Sequence, residues 1–315
     1  MSKPLKSQIH IDTFLTNISL VDTNVSYIED KIFPTVSVAK QSDKIAKYGQ
    51  DHLRDSNGRR ADKDLDFHLV EFSGADPLRY DIEFYDHAVA ISDIDYTKYD
   101  TPFDAEKDVT TQLRELEKTA KERKIASMLT TPGNYTNTAT PTTLWDAVGS
   151  DPLGDMETAS EVIRAATGRR PTIAITNAVV LSKLKTNTQF LNRINGVQKN
   201  LTNADIIDII KNHLGLDEVL VAGGIWVNSV QGQAVTTTDI WNKDFILMYR
   251  PKSSGLYTPT FGYRFELTAG GLQGNRRPRG IAKMRHPNDK GNVVEVYYDY
   301  QDKILDSKYA TTSTK

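Results

Sequence analysis

The most regular alternation of apolar and polar positions lies between Asp151 and Gly168. Asp151 followed by Pro152 is a strong helix start, because the acid caps free backbone N–H groups and proline already has a helical φ. Gly168 provides the left-handed residue that ends many helices. Between them, apolar residues recur at the three- and four-residue spacing of one helical face, at Met156, Ala159, Val162, Ile163 and Ala166. The pattern predicts a helix.

The residues that follow predict helices packed on a sheet. A short, β-branched apolar run at residues 172–176 predicts a buried strand. A second helical pattern runs after Asn177 to Ile194. Further along the chain, the predicted elements are a helix at 204–214 capped by Asn203 and strands at 219–222, 225–227 and 240–249. Alternating helices and strands are typical of an α/β layer, in which Trp226 and Trp241 are interpreted as core or subunit-contact residues.

A second, much longer helix is predicted over residues 102–130. Thr101 is its N-cap, Pro102 occupies the first helical position and Asp104 can complete a capping box. The apolar positions form a narrow stripe of Val109, Leu113, Leu116 and Ala120, and charged residues fill most of the remainder. Such a helix is about 40 Å long, more than the width of a small domain. It must therefore lie across a sheet or bridge neighbouring subunits.

The N-terminal part of the chain shows weaker patterns. Residues 1–43 carry scattered hydrophobes without a sustained helical face and predict an extended arm. Residues 44–75 are more polar and predict either a flexible surface loop or a long two-stranded loop. Alternation through Tyr80, Ile82 and Phe84 predicts strands. At the other end of the chain, residues 281–300 alternate on both sides of a polar turn, which predicts a hairpin.

Composition narrows the functional class. The chain has 315 residues, of which 38% are hydrophobic and 25% charged, enough for a sizeable core. Its formal charge of -2 argues against a protein whose main task is neutralising phosphates. The sequence has no cysteine, so disulfides and thiolate metal sites are excluded. Neither a signal peptide nor an apolar run of about 20 residues, as a membrane span needs, is present.

Candidate chemistry is sparse. Asp93 and Asp95 form a D-x-D pair, but two carboxylates do not specify a cation site. Arg169 and Arg170 could bind a phosphate, although arginines at a helix C-terminus also interact favourably with the helix dipole. The glycine- and arginine-rich residues 270–280 could cradle a phosphate or form an intersubunit loop. The sequence thus predicts no catalytic, cofactor-binding or metal-binding residue and no enzyme.

Several segments, in matching order, resemble the major capsid proteins of tailed bacteriophages. The strongest are EVIRAATGRRP (161–171), LSKLKTNTQFLNRI (181–194) and DIIKNHLGLDEVLVAGGIWVNS (208–229), followed by GQA, DIWNKDFILMYRP and TPTFGYRFE. Upstream, YIEDKIFPTVSVAKQSDKIAKYG resembles the arm of that family, AVAISDIDY a strand, and DAEKDVTTQLRELEKTAKERKIASMLT its long spine helix. The resemblance covers nearly the whole chain.

The resemblance implies an α+β fold shared by the shells of tailed phages and herpesviruses. It divides the chain into an N-terminal arm (1–43), an extended β-hairpin loop (44–75), a peripheral domain (76–140 and 266–309) with spine helix 102–130, an α/β axial domain (141–265) and a disordered tail (310–315). The arm and loop are implied to strap neighbouring subunits together.

The implied function is self-assembly, as hexamers and pentamers, into an icosahedral head that encloses double-stranded DNA. The protein is then expected in the virion, assembled in the host cytoplasm, without cofactors or membrane contact and with weak DNA contact. The chain begins almost directly with the arm, so a separate scaffolding protein is expected, with a portal and a decoration protein as further partners. Covalent crosslinking between subunits, known in some relatives, is not indicated by residue spacing.

The alternatives are a carboxylate-dependent hydrolase using Asp93 and Asp95, and another virion component such as a tail-tube or decoration protein.

Overall fold

The computed structural model describes residues 9–11, 27–46, 77–96, 102–139, 141, 143–193, 201–229, 233–253, 255, 258–268, 279–286 and 290–313. Within these residues, the strands form a six-stranded sheet, a four-stranded sheet and two short two-stranded hairpins. One long helix packs on the six-stranded sheet, and four shorter helices accompany the four-stranded sheet.

The six-stranded sheet is built around its longest strand, β13 (Gly291–Ile304). β13 pairs antiparallel with β12 (Arg279–Arg285), β11 (Gly262–Leu267) and β5 (Glu83–Ser92). β1 (Ile9–Ile11) adds antiparallel to β12, whereas β2 (Thr35–Val38) adds parallel to β11. The hairpin predicted at residues 281–300 is thus confirmed as β12 and β13. Two very short helices flank these strands, α1 (Glu29–Ile32) before β2 and α2 (Asp93–Tyr96) after β5.

The helix predicted over residues 102–130 is confirmed as α3 (Pro102–Thr130). Leu113, Ile125 and Leu129 are buried on it, as an apolar face requires. Leu116, however, is 54% exposed, so its assignment to the buried stripe was wrong. The positions that replace it in the interface with the sheet are charged.

Glu117 is the centre of this charged interface. Its carboxylate is fully buried and forms an ion pair with Arg114 on the same helix. Lys121 Nζ lies 2.7 Å from it, and Arg279 Nε from β12 lies 3.3 Å from it. Lys121 also sits 4.8 Å above the ring of Tyr298. Paired charges with aliphatic stems can cover a sheet as apolar side chains do, and a hydrophobic pattern does not record them.

The four-stranded sheet consists of β14 (Ala310–Ser313), β10 (Phe245–Met248), β6 (Ile173–Asn177) and β7 (Glu218–Ala222), in that order. β6 is parallel to β7 and antiparallel to β10. The helices are α4 (Pro152–Thr167), α5 (Ala178–Leu184), α6 (Thr188–Arg193) and α7 (Asn203–Leu214). Alternate residues of β6 and β10 enter two different cores: Ala174 and Leu247 face these helices, whereas Ile175 and Ile246 face α3 and the arm. Burial on both faces explains why these strands are continuously apolar.

The predicted caps of the first helix are confirmed, but the next predicted helix differs from the structure. Asp151 accepts a hydrogen bond from the Gly154 N–H, and Gly168 is left-handed with φ of 72°. The helix expected to continue to Ile194 is instead divided into α5 and α6. The cause is Asn187, whose side chain accepts the N–H of Phe190 at 2.8 Å and so starts a new helix.

Two further predictions required small corrections. The cap of α7 is Thr202 rather than Asn203, with Asp205 completing a capping box. The strand predicted at 240–249 is limited to β10. Its first residues pair elsewhere, since Ile240 N–H bonds to Gly224 O and the Asn177 side chain bonds to Trp241 O. β8 (Ile225–Val227) and β9 (Thr237–Asp239) form a separate hairpin.

The C-terminal tail predicted at residues 310–315 is wrong for its first four residues. β14 (Ala310–Ser313) is an ordered, buried edge strand paired antiparallel with β10. Its other side is met by residues 137–139, where the Ala139 N–H bonds to Thr312 O. Long-range pairing orders a segment whose composition alone favours disorder. In addition, the boundary drawn at residue 265 falls inside β11, a strand of the six-stranded sheet.

Candidate assembly site

The predicted arm is fixed to the body of the protein at α1. Glu122 of α3 is fully buried and accepts hydrogen bonds from the backbone N–H groups of Ile28 and Glu29, at 3.1 and 2.9 Å. Its second oxygen accepts the indole N–H of Trp241 at 2.5 Å. One carboxylate therefore joins the arm, the long helix and the segment that enters the four-stranded sheet.

A second buried charge holds the same short helix from the other side. Arg264 of β11 is 2% exposed. It donates to both oxygens of Asp302 at 2.8 and 3.1 Å, and to Glu29 and Asp30 at 2.7 Å each. We call the set Glu29, Asp30, Glu122, Trp241, Arg264 and Asp302 the arm junction.

Three acids of the arm junction, Glu29, Asp30 and Glu122, have shifted pKa values. Burial and a hydrogen bond with Asp30 raise the pKa of Glu29 to about 7, although Arg264 opposes this. Burial also raises the pKa of Glu122, in spite of its three donors. For Asp30, partial burial is outweighed by the bond with Glu29 and by Arg264, which lower its pKa to about 2. Glu29 and Asp30 therefore behave as a pair that holds one proton near neutral pH.

The predicted loop has a well-defined base. β3 (Ser42–Ala46) pairs antiparallel with β4 (Pro77–Asp81), with Ala46 opposite Pro77. Tyr80 stacks on Phe265 with ring centroids 4.9 Å apart, which anchors the base on the six-stranded sheet. Ala46 and Pro77, at the open end of this hairpin base, are therefore adjacent. Most of the predicted loop (44–75) lies outside the described residues.

Large apolar side chains are exposed on β8 and on α3. On β8, Ile225 and Val227 are 54% and 52% exposed, while Trp226 between them points the other way and lies 3.7 Å from the Arg123 guanidinium of α3. Leu116 is exposed on the same helix. Residues i and i+2 of a strand share a face, so Ile225 and Val227 form a small exposed apolar patch of the kind that protein contacts use.

In the structure, the two acids of the D-x-D pair, Asp93 and Asp95, bond to different protein partners. Both oxygens of Asp93 accept from Arg285, at 2.9 and 2.7 Å, and this bond lowers the pKa of Asp93. Asp95 instead accepts from Ser92 at 2.8 Å. The described residues contain no group of three or more His, Cys, Asp or Glu side chains able to hold a metal ion. Asp93 is thus engaged in an ion pair between α2 and β12.

The arginines considered for phosphate binding also have protein partners. Arg169 donates to the Tyr249 hydroxyl at 2.7 Å, and Arg170 to Glu161 at 2.8 Å. Of the arginine- and glycine-rich residues 270–280, only 279 and 280 lie within the described residues. None of the helices that the structure describes has the length and apolar composition needed to cross a membrane.

Comparison with known proteins agrees with this architecture. No protein-family model matches the chain. The major capsid protein of Burkholderia phage BcepMu is 27% identical over 263 residues, which cover 80% of this chain and 82% of that protein. The chain is therefore similar to a phage major capsid protein over most of the length of both. The resemblance described from the sequence is thereby confirmed, and the structural capsid relative favours a structural over an enzymatic role.

Solved structures show the same capsid-type fold of mixed helices and sheets. A phage-related protein from Bordetella bronchiseptica RB50 superposes with a TM-score of 0.70 at 18% identity, covering 96% of each chain. The capsid structure of cyanophage P-SCSP1u gives a TM-score of 0.60 at 11% identity, covering 93% of this chain and 89% of that one. A virus-like particle from Pyrococcus furiosus gives 0.56 at 12%, covering 96% and 98%. The chain thus shares the fold of these proteins.

Sequence reasoning missed every charged member of the arm junction. Arg264 interrupts the apolar strand GYRFEL, and a lone charge in a buried strand signals a buried ion pair. That signal could have identified Arg264 but not its partners, since Glu29 and Asp302 are more than 30 positions away. Glu122 resembled any solvent-facing acid of a charged helix.

Proposed function

We propose that this protein is the major capsid protein of a tailed phage and assembles as hexamers and pentamers into an icosahedral head that encloses double-stranded DNA. The observation that carries the proposal is the relationship to a major capsid protein across four fifths of both chains. Domain roles follow the family pattern, with a peripheral domain around the six-stranded sheet and an axial domain around the four-stranded sheet.

The arm and loop are the parts proposed to connect subunits. Both leave the body at rigid anchors, the arm at α1 and the loop at the β3–β4 hairpin. Their polar composition cannot supply a core of its own, and ordering backbone costs about 1–2 kcal/mol per residue. Apolar surface on neighbouring copies, such as Ile225 and Val227, can offset that cost. Subunit contacts are therefore proposed to order these segments.

The remaining partners follow from the same proposal. A head that packages DNA needs a portal for DNA entry, and a separate scaffolding protein is proposed to guide assembly in the host cytoplasm, with a decoration protein as a further partner. The formal charge of -2 leaves little net attraction for phosphates, so contact with the packaged DNA is proposed to be weak.

Electron microscopy of the overexpressed protein tests the assembly itself. Closed shells with five- and six-fold clusters are expected, with the scaffolding protein co-expressed if the chain alone forms none. Tubes of stacked rings under both conditions would instead support the tail-tube alternative.

Limited trypsin digestion tests the strap role of the loop. We expect early cleavage of the unassembled chain between Lys44 and Lys63, where Arg54, Arg59 and Arg60 also lie, and protection of the same bonds in shells. A variant with the three arginines changed to glutamine identifies the cleaved bonds, and a reference substrate added to both samples confirms equal protease activity. Equal cleavage rates in the two states would contradict the strap role.

A further inference from the structure

The arm junction contains more acid than it can hold fully ionised. Among the described residues, Arg264 is the one cation in ion-pair contact with Glu29, Asp30 and Asp302, and the pair with Asp302 already neutralises it. Glu29 is 2% exposed, so a second buried negative charge has little water to stabilise it.

The neighbouring charged residues do not offset this excess of carboxylates over cations. Lys121 of α3 and Arg279 of β12 act on the pair from a distance, but both lie against the buried carboxylate of Glu117. Glu122, also on α3, adds another buried acid, which binds the backbone of α1 itself. Arg250 also meets α1, where it donates to the backbone oxygen of Lys31, but it is paired with Glu218 at 2.8 Å. The acids around Glu29 and Asp30 therefore exceed the cations that are not already paired.

We propose that the arm junction is a proton-sensitive latch: a proton shared by Glu29 and Asp30 holds α1 against Arg264, and loss of that proton loosens the base of the arm. With the proton present, Glu29 can bond to Asp30 while its other oxygen accepts from Arg264. Without it, two carboxylates on adjacent residues repel each other beside a guanidinium that is already paired. The consequence for shells rests on the proposed function, whereas the latch is a property of the single chain.

The sign of the effect follows from the raised affinity of Glu29 for its proton. The pKa of this acid is about 7 when α1 is docked and about 4.5 when it is free in water. The docked state therefore binds the proton more tightly and is favoured at low pH, and this stabilisation is lost as pH rises from 4.5 through 7. Between pH 5 and pH 8 the equilibrium for undocking should increase by about 70-fold.

Hydrogen exchange on the unassembled chain measures the latch directly. Protection factors, which remove the pH dependence of intrinsic exchange, are determined for residues 28–36 between pH 5 and pH 8. We expect protection to fall by tens of fold, mainly between pH 5 and pH 7 and with little further loss up to pH 8, while the buried strand β6 stays protected. Equal protection of residues 28–36 at both pH values would overturn the proposal, independently of whether shells form.

A matched pair of variants assigns the effect to one residue. Glu29→Gln keeps the shape of the protonated acid, so its protection should be high and independent of pH. Glu161→Gln, which changes an acid that is half exposed on α4, should keep the native pH profile. A pH profile in Glu29→Gln equal to the native one would exclude Glu29 as the latch. If that variant does not fold, the native profile alone decides.

Discussion

The hydrogen bond between Glu122 and Trp241 should show measurable energetic coupling between the long helix and the four-stranded sheet. Glu122→Gln keeps one oxygen for the two backbone N–H groups of α1, but turns an amide N–H₂ toward the indole N–H, so that donor meets donor. Trp241→Phe removes the indole N–H and leaves the buried carboxylate oxygen without this partner.

The expected magnitude follows from burial and charge. Hydrogen bonds to charged groups contribute about 1.5–3 kcal/mol, and Glu122 is fully buried while Trp241 is 4% exposed. Each single substitution should therefore lower the free energy of unfolding by about 2–3 kcal/mol. Because both remove the same bond, the double variant should lose less than the sum, with a coupling energy of about 1.5 kcal/mol.

Urea unfolding of the unassembled chain, followed by far-UV circular dichroism, provides the four free energies of the cycle. Trp226→Phe is the matched control, since its ring rests on Arg123 and not on Glu122. Combined with Glu122→Gln, it should be additive within about 0.5 kcal/mol. A Glu122–Trp241 coupling below that value would refute the idea that this bond joins the two parts of the molecule.

Two further substitutions test the long helix and the acid pair. Leu116→Pro should cost about 3 kcal/mol or more and abolish particles while α4–α7 still fold, as judged by electron microscopy and circular dichroism, because proline removes a helix hydrogen bond. Leu116→Ala, at a position 54% exposed, is the control and should fold normally; normal heads from the proline variant would contradict the role of α3. Asp93→Asn with Asp95→Asn should leave assembly nearly unchanged and independent of cations, since Asp93 serves an ion pair with Arg285. Particle loss on chelation, restored by calcium, would show that a cation site had been missed.

Local signals in the sequence determined the regular elements. The Asp151-Pro152 start, the Gly168 stop and the alternation around residues 281–300 each act through neighbours a few positions away, and all three agree with the structure. The order of such segments also sufficed to recognise the capsid family. These features are encoded within short stretches of chain, so a single sequence reveals them.

The tertiary structure alone decided which residues join these elements together. Residues 310–313 become a strand only because β10 offers an open edge, and the charged side of α3 is buried only because Arg279 and the tyrosines of β13 face it. The arm junction brings Glu29, Glu122 and Arg264 into contact across 235 sequence positions. Nothing in the local pattern of a charged residue says whether its partner is water or a distant side chain, and desolvation, which sets both its stability and its pKa, depends on that partner.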